Sequence, residues 1–479
     1  MFKHSGIDKD RIRSLIGDGS CVYMCGIGGG GMSALAELLL YRGVRVFGSD
    51  RAESDVTDRL IRLGIRVNYT ERRENLAERP FDLLIYSLSV SEDHPEYRAA
   101  LDMGIPAVSR AEALGAIMKE YKTAVSVSGS HGKSTVTAMI GAVLTEAGAN
   151  PTVVCGADLG GGSSLRAGGD EYIVVEGCEY CDSFLRLSPT HTVLLNLDYD
   201  HTDYFSTPEA LYRSFALAAE MPSVKTVWCA SDLRLSEICS PLGERAVSYG
   251  TDVLCDMTYR IVGGGAYSTV MFSGKEPIRA AAPGQHNAEN IAAATALCTV
   301  LGVDHSVIVR ALSRFSGIPR RLELLCRYAG SEVYYDYAHH PKEIFMTLDT
   351  LKKMSYNRIA VVFAPHTYSR TRTFLKDFAK VLSSVRAAFI LPIYGARESS
   401  GEVDEGSLVS EINSLGGNAY LTDGENFALA DGFDCILLLG AGDLTKIKRR
   451  IVAYEKDHSS CGARPDRSSR NNGDSNGRG

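Results

Sequence analysis

A chain of 479 residues is longer than one hydrophobic core usually serves, so two to four domains are expected. Hydrophobic residues make up 45% and charged residues 23%, the balance of a globular protein rather than a disordered one. A net charge of -7 argues against a dedicated nucleic-acid binder, which needs a basic surface, while leaving room for a local basic pocket. The first ten residues lack the apolar stretch of a signal peptide, and no run of ~18 apolar residues offers a membrane span. The richest run, Cys21 to Tyr41, is broken by glycines and Glu37. A cytoplasmic location is therefore expected. The twelve cysteines show no framework spacing and read as reduced thiols. Cys178 and Cys181 form a lone C-x-x-C, a redox pair or half a zinc site with no second pair to complete it.

Three blocks alternate apolar strands with amphipathic helices, the pattern of parallel α/β sheets. In the first, Ser20–Cys25 reads as a strand, followed by a glycine loop and a helix through Tyr41. Val44–Gly48 and Leu83–Ser87 read as later strands. The loop Gly26-Ile27-Gly28-Gly29-Gly30-Gly31-Met32-Ser33 satisfies G-x-G-x-x-G, and Asp50 follows at the end of the second strand. Such a loop holds a diphosphate on backbone amides. It suits NAD, with Asp50 on a ribose, or equally a UDP-sugar.

The second block begins near Lys119. Thr123–Val127 reads as a strand and Val136–Leu144 as a helix, with Gly129-Ser130-His131-Gly132-Lys133-Ser134-Thr135 between them. Strand, glycine turn, Lys-Ser and helix form a phosphate-binding loop. Glycines let several N–H groups face one polyphosphate, Lys133 adds a compact charge, and Ser134 offers its hydroxyl to Mg²⁺. Only Ser130 and His131 separate Gly129 from Gly132, where the common loop has four residues and would place a glycine at Val127. Further on, Tyr172–Glu176 reads as a strand ending in a carboxylate suited to Mg²⁺. Leu194–Asp203 reads as a strand followed by Asp198, Asp200, His201 and Asp203.

The third block begins near Gly317, with strands including Ile359–Phe363 and Cys435–Leu439. Tyr334–Pro341 places Asp336, Tyr337, His339 and His340 at a strand end. Phe363–Arg372 does the same for His366, Arg370 and Arg372, whose guanidinium groups suit a carboxylate or phosphate. Beyond Asp457 almost nothing is apolar, and a disordered tail over 458–479 is expected.

Taken in order, these motifs resemble those of the Mur ligase family. Gly26–Ser33 is similar to its GIGGxGMS loop, Gly48-Ser49-Asp50 to GSD, and Gly129–Thr135 to GTHGKT. Glu176–Tyr180 resembles EACEY, Asn196–Asp203 resembles NIDxDHxD, and His286–Asn290 resembles HNxxN. Asp336–Pro341 matches DYxHHP, Pro365–Thr371 matches PHxYxRT, and Gly440–Asp443 matches GAGD. The resemblance spans residues 20 to 450. Departures are modest: Ser130 and Ser134 replace threonines, Thr367 replaces a frequent arginine, and Ala364 a frequent glutamine.

The resemblance implies an α/β fold in three domains: a Rossmann-like UDP-binding domain over 1–118, a central P-loop ATPase domain over 119–316, and a Rossmann-like amino-acid-binding domain over 317–457. It implies that ATP phosphorylates the lactyl carboxylate of UDP-N-acetylmuramic acid and that L-alanine attacks the acyl phosphate. Lys133 would then hold the β- and γ-phosphates, Ser134 one Mg²⁺, and Glu176 with His201 a second. Asn290 would meet adenine, Asp336 the ATP ribose, and Arg321 the phosphates. Tyr337, His339 and Arg370 would position the amino acid, and Gly28 to Ser33 the UDP diphosphate. A monomer or homodimer is expected, with no nucleic acid and no membrane span. Two other readings stay open: a ligase that joins a whole peptide to the same sugar nucleotide, and a nicotinamide-dependent oxidoreductase built on the first glycine loop.

Overall fold

Every residue of Cys21–Cys25 and of Leu83–Tyr86 is buried, which marks both as interior strands covered on two faces. They belong to a five-stranded parallel sheet ordered Arg66–Asn68, Arg45–Ser49, Cys21–Cys25, Leu83–Tyr86, Ala107–Ser109. The order reverses between Cys21–Cys25 and Leu83–Tyr86, so a crevice opens at the carboxyl ends of those strands, just where the glycine loop begins. The computed structural model describes residues 5–201, 204–262, 267–395, 398, 401–424, 432–442, 444 and 446–451. Thr202, Asp203, Asp443 and the tail over 458–479 lie outside the described residues.

The central sheet has ten strands among the described residues, and Thr123–Ser128 runs between His191–Leu194 and Tyr172–Gly177. That position puts the phosphate loop at the middle of the sheet. Two sequence expectations are corrected here. The strand expected from Leu194 onward is His191–Leu194, and Leu195–Asp200 is irregular. Its polar start, His191-Thr192, hides a segment that is wholly buried between two neighbours. Met257–Ile261, Ser268–Phe272 and Ile278–Ala280 add an antiparallel extension that the parallel reading did not foresee.

The third sheet has six strands, parallel except for the hairpin of Glu323–Tyr328 with Ser331–Asp336. Alternation along Ile359–Ala364 is plain. Val361 and Phe363 join one core, and Val362 and Ala364 join another on the opposite face. By contrast, one continuous apolar core runs from Ile12 through the first sheet, across the central sheet, to Leu312. Helix Gly30–Tyr41 lies within that core, and its buried Glu37 is met by Arg59 at 2.9 Å and the Ser163 hydroxyl at 2.8 Å. The first and central units also touch at Gly115, where an added Cβ would fall 2.1 Å from the Arg186 carbonyl oxygen. No helix among the described residues is long and apolar enough to cross a membrane.

Candidate active site

The phosphate loop is shaped by glycines that no other residue replaces. Gly129 and Gly132 sit at φ +147° and +85°. A Cβ on Gly129 would lie 2.9 Å from Leu195, and one on Gly132 would lie 2.4 Å from Asn290 Oδ1. Asn290, on helix Gln285–Val300, thus rests directly on the loop. The Ser130 hydroxyl donates to the Asp198 carbonyl and accepts from the Asp198 amide, both at 2.8 Å. His131 N–H donates to Asn196 Oδ1 at 2.8 Å. Lys133 and Ser134 then open helix Lys133–Glu146, with Thr135 buried behind them.

Ser134 Oγ donates to Glu176 Oε2 at 2.8 Å, so a hydroxyl and a carboxylate converge beside the loop. The Gly156 N–H donates to the same carboxylate oxygen at 2.8 Å. Lys133 Nζ reaches the Gly129 carbonyl at 2.6 Å and stands 3.0 Å from Glu179. Burial acts against both charges. The Lys133–Glu179 attraction outweighs it, raising the lysine and holding the carboxyl near a pKa of about 2, with His201 helping. His201 Nε2 lies 3.3 Å from Glu179 Oε1. The structure therefore pairs His201 with Glu179, whereas the sequence reading placed it with Glu176. Glu179 stands in the Glu176–Tyr180 motif but was given no role, because nothing in the sequence shows its pairing with Lys133.

The first glycine loop closes on itself. Asp50 accepts the Gly28 N–H at 2.8 Å, and a Cβ on Gly28 would collide with that carboxylate. Gly29 is the N-cap of helix Gly30–Tyr41, with Met32 and Ser33 buried in its first turn. A Cβ on Gly30 would lie 3.1 Å from the Gly156 carbonyl oxygen, so the first loop abuts the segment that Glu176 holds. The Arg110 guanidinium stands 3.0 Å from the Cβ position of Gly31. Among the described residues Arg110 makes no ion pair, and sequence reasoning missed it because Ser109 and Glu112 form an ordinary capping box around it.

The third unit supplies the facing wall. Asp336 accepts N–H groups from Leu322 at 2.7 Å and Ala338 at 2.8 Å. Burial pushes its carboxyl up to about 6, against the pull of Arg321. Arg321 is held charged by Glu343, Asp336 and Glu176 despite burial, and it lies 5.7 Å from the centre of the Tyr337 ring. His339 Nδ1 meets the Tyr337 carbonyl at 3.0 Å, and burial depresses its imidazole to about 4. Arg370 is already engaged, 3.0 Å from Asp200. It sits on helix Tyr368–Thr373, whose N-cap is Thr367 at φ +65°. Thr367→Ala should cost about 1 kcal/mol through the lost cap, read as a lowered midpoint in urea unfolding.

Glu343 is the other residue the sequence reading passed over. It accepts from the His339 and His340 amides and stands 3.0 Å from His131 Nδ1 of the phosphate loop. Burial alone would lower His131, yet Glu343 and Asp198 raise it to about 9. Its one sequence signal was the cap pattern His340-Pro341-Lys342-Glu343, with an acid at the third helical position. Lys342 pairs with Asp198 at 2.6 Å across the same boundary. The cysteines of the C-x-x-C, Cys178 and Cys181, are not joined in a disulfide.

Two glycine loops at the ends of neighbouring α/β sheets, joined through Gly156 and faced by cations of a third sheet, define a three-domain nucleotide-dependent enzyme. Comparison with known proteins gives the family. The Mur ligase family catalytic-domain model matches residues 22–122, the Mur ligase middle-domain model 127–298, and the Mur ligase glutamate ligase domain model 320–442. The chain is 36% identical over 452 residues to the UDP-N-acetylmuramate–L-alanine ligase of Caldanaerobacter subterraneus subsp. tengcongensis, covering 91% of this chain and 98% of that protein. It is 38% identical over 463 residues to the protein of the same name from Caldicellulosiruptor bescii, covering 90% and 99%. The crystal structure of the UDP-N-acetylmuramate-alanine ligase of Thermotoga maritima superposes with a TM-score of 0.78 at 27% identity, over 91% of this chain and 99% of that one. A murein peptide ligase from Psychrobacter arcticus shares the fold, with a TM-score of 0.70 at 22% identity over 92% and 100%. The chain belongs to the Mur ligase family.

Proposed function

We propose that this protein joins L-alanine to the lactyl carboxylate of UDP-N-acetylmuramic acid at the expense of ATP, an early step in making peptidoglycan precursor. The observation that carries this reading is near-complete coverage, in both directions, of relatives bearing that activity in their names. Residues 1–118 take the sugar nucleotide, 119–316 take ATP and 317–457 take the amino acid. Gly28 to Ser33 receive the UDP diphosphate, with Arg110 as an added cation, and Asp50 keeps the loop in shape. Gly129 to Thr135 receive the ATP phosphates, Asn290 the adenine, Asp336 the ribose, and Arg321 the transferring phosphoryl group.

Hard oxygen donors suit Mg²⁺, and Ser134 and Glu176, 2.8 Å apart, are such a pair. They would hold one ion, and His201, 3.3 Å from Glu179, would approach a second. Bound there, Mg²⁺ neutralises charge on the β- and γ-phosphates. Lys133 exchanges its loop carbonyls for phosphate oxygens and stabilises charge as the phosphoryl group moves to the lactyl carboxylate. Arg370 shares its guanidinium between Asp200 and the carboxylate of alanine. Tyr337 and neutral His339 line the path of the amine, which attacks the acyl carbon. Phosphate then leaves from the tetrahedral intermediate as hydrogen phosphate, carrying the proton that the amine gives up.

Phosphate release with ATP, Mg²⁺ and UDP-N-acetylmuramic acid tests the assignment. L-alanine should far exceed glycine, L-serine or L-Ala-γ-D-Glu-diaminopimelate as acceptor. Release with the tripeptide alone would move the protein to peptide ligation, and NADH turnover would support an oxidoreductase. Arg110→Ala should raise KM for the sugar nucleotide about tenfold, the value of one charge-assisted contact, with kcat held. An unchanged KM would remove Arg110 from the diphosphate site.

A further inference from the structure

Cys25, His94 and Glu96 bring a thiol, an imidazole and a carboxylate together behind the first glycine loop, with their ligand atoms all within 4.8 Å of one another. Cys25 ends its strand one residue before Gly26. His94 is the N-cap of helix Pro95–Asp102, and Glu96 lies in its first turn. None of the three takes part in the chemistry described above.

Glu96 is completely buried, and among the described residues no lysine or arginine pairs with it. One of its oxygens accepts from Tyr23 and Asn75, each at 2.6 Å. The other oxygen faces Ser49, Cys25 Sγ at 3.4 Å, and His94 Nδ1 at 4.0 Å. His94 is 5% exposed, and neither of its ring nitrogens finds a hydrogen-bond partner. Its Nε2 stands 3.2 Å from Glu71, which leaves Nδ1 aimed at Cys25 and Glu96. With neither ring nitrogen bonded, the imidazole is free to ligate a metal through Nδ1, and a small turn of the ring would let Glu71 accept from Nε2–H as the supporting carboxylate.

We propose that Cys25, His94 and Glu96 form a binding site for a thiophilic divalent cation, Zn²⁺ first among them. Tetrahedral zinc with sulfur at 2.3 Å and nitrogen or oxygen near 2.0 Å sets its donors roughly 3.3–3.6 Å apart. The Cys25–Glu96 pair at 3.4 Å already has that spacing, and the His94–Glu96 pair at 4.0 Å needs to close by less than ~1 Å. The Ser49 hydroxyl or a water fills the fourth position. Binding expels the thiol proton of Cys25 to solvent and leaves a thiolate. The cation also supplies the positive charge that the buried Glu96 otherwise lacks. Mg²⁺ does not compete, because sulfur and imidazole disfavour a hard ion. A metal here ties the residue before Gly26 to the helix behind it, fixing the root of the loop assigned to the UDP diphosphate.

The test uses the full chain, freed of metal by chelator and then dialysed with Zn²⁺ or Co²⁺ in excess Mg²⁺ and without nucleotide. The expected result is one equivalent of Zn²⁺ per chain, a higher Tm with zinc, and a thiolate-to-cobalt charge-transfer band in the near ultraviolet. Cys25→Val and His94→Asn should each lose the band and the bound equivalent while keeping the far-ultraviolet circular dichroism of the parent. A double change, Cys178→Ser with Cys181→Ser, should keep both. Absence of stoichiometric metal, or metal held by both single variants and lost from the double one, would overturn the site.

Discussion

Replacing Lys133 by alanine is expected to lower kcat for phosphate release by about 10³-fold, the scale seen when one preorganised cation or donor is removed from a transferring group. The ammonium is fixed before any nucleotide arrives, 2.6 Å from Gly129 O and 3.0 Å from Glu179. The ammonium gives up the Gly129 carbonyl for phosphate oxygens while Glu179 keeps it in place. Removing it also leaves Glu179 as a buried carboxylate with His201 as its remaining partner. The sugar-nucleotide loop and Arg110 are untouched, so calorimetric affinity for UDP-N-acetylmuramic acid should stay within about twofold of the parent. Turnover within tenfold of the parent would remove Lys133 from the reaction.

Glu343→Gln is expected to loosen the third unit from the second. Glu343 faces His131, His339 and Arg321, and its carboxyl is held well below the usual range although burial alone would raise it. The amide keeps the shape and removes the charge. His131 then keeps Asp198 and Arg321 keeps Asp336 and Glu176, so each loses one charged partner of several, a loss of about 1–3 kcal/mol. Urea unfolding should show the third unit separating earlier, and small-angle scattering should show a wider molecule. The pH dependence follows from His131. Its folded pKa of about 9 lies above the ordinary 6.5, so the stability it contributes is complete below 6.5 and lost as pH rises through 9. In the variant that alkaline loss should flatten. An unchanged alkaline slope would mean that Asp198 alone carries the effect.

The parallel α/β class and its three sheets were legible because Cys21–Cys25, Thr123–Ser128 and Ile359–Ala364 are apolar runs bounded by glycine or polar turns. Both glycine loops were legible because backbone curvature demands glycine at fixed steps. His191–Leu194 was placed late because a buried central strand tolerates polar residues once its neighbours satisfy the ladder. Glu179, Glu343 and Arg110 were given no role for another reason. Each matters through a partner 46, 212 or 79 positions away (Lys133, His131 and Gly31), and one sequence carries no record of such pairings. Asp198 and Asp200 were read only as acids following a strand, and Lys342 and Arg370 of the third unit engage them.

The continuous core from Ile12 to Leu312 means that the number of sheets and the number of cooperative units differ. The first two sheets share an apolar seam tight enough to leave no room for a methyl group at Gly115. The third meets them through the ion pairs of Glu343, Lys342 and Arg370. Differential scanning calorimetry should therefore resolve two transitions rather than three. Added salt, which screens charge and spares apolar contact, should spread those two apart by lowering only the one that belongs to the third sheet. The chain then melts as two bodies, the first two sheets as one and the third as the other.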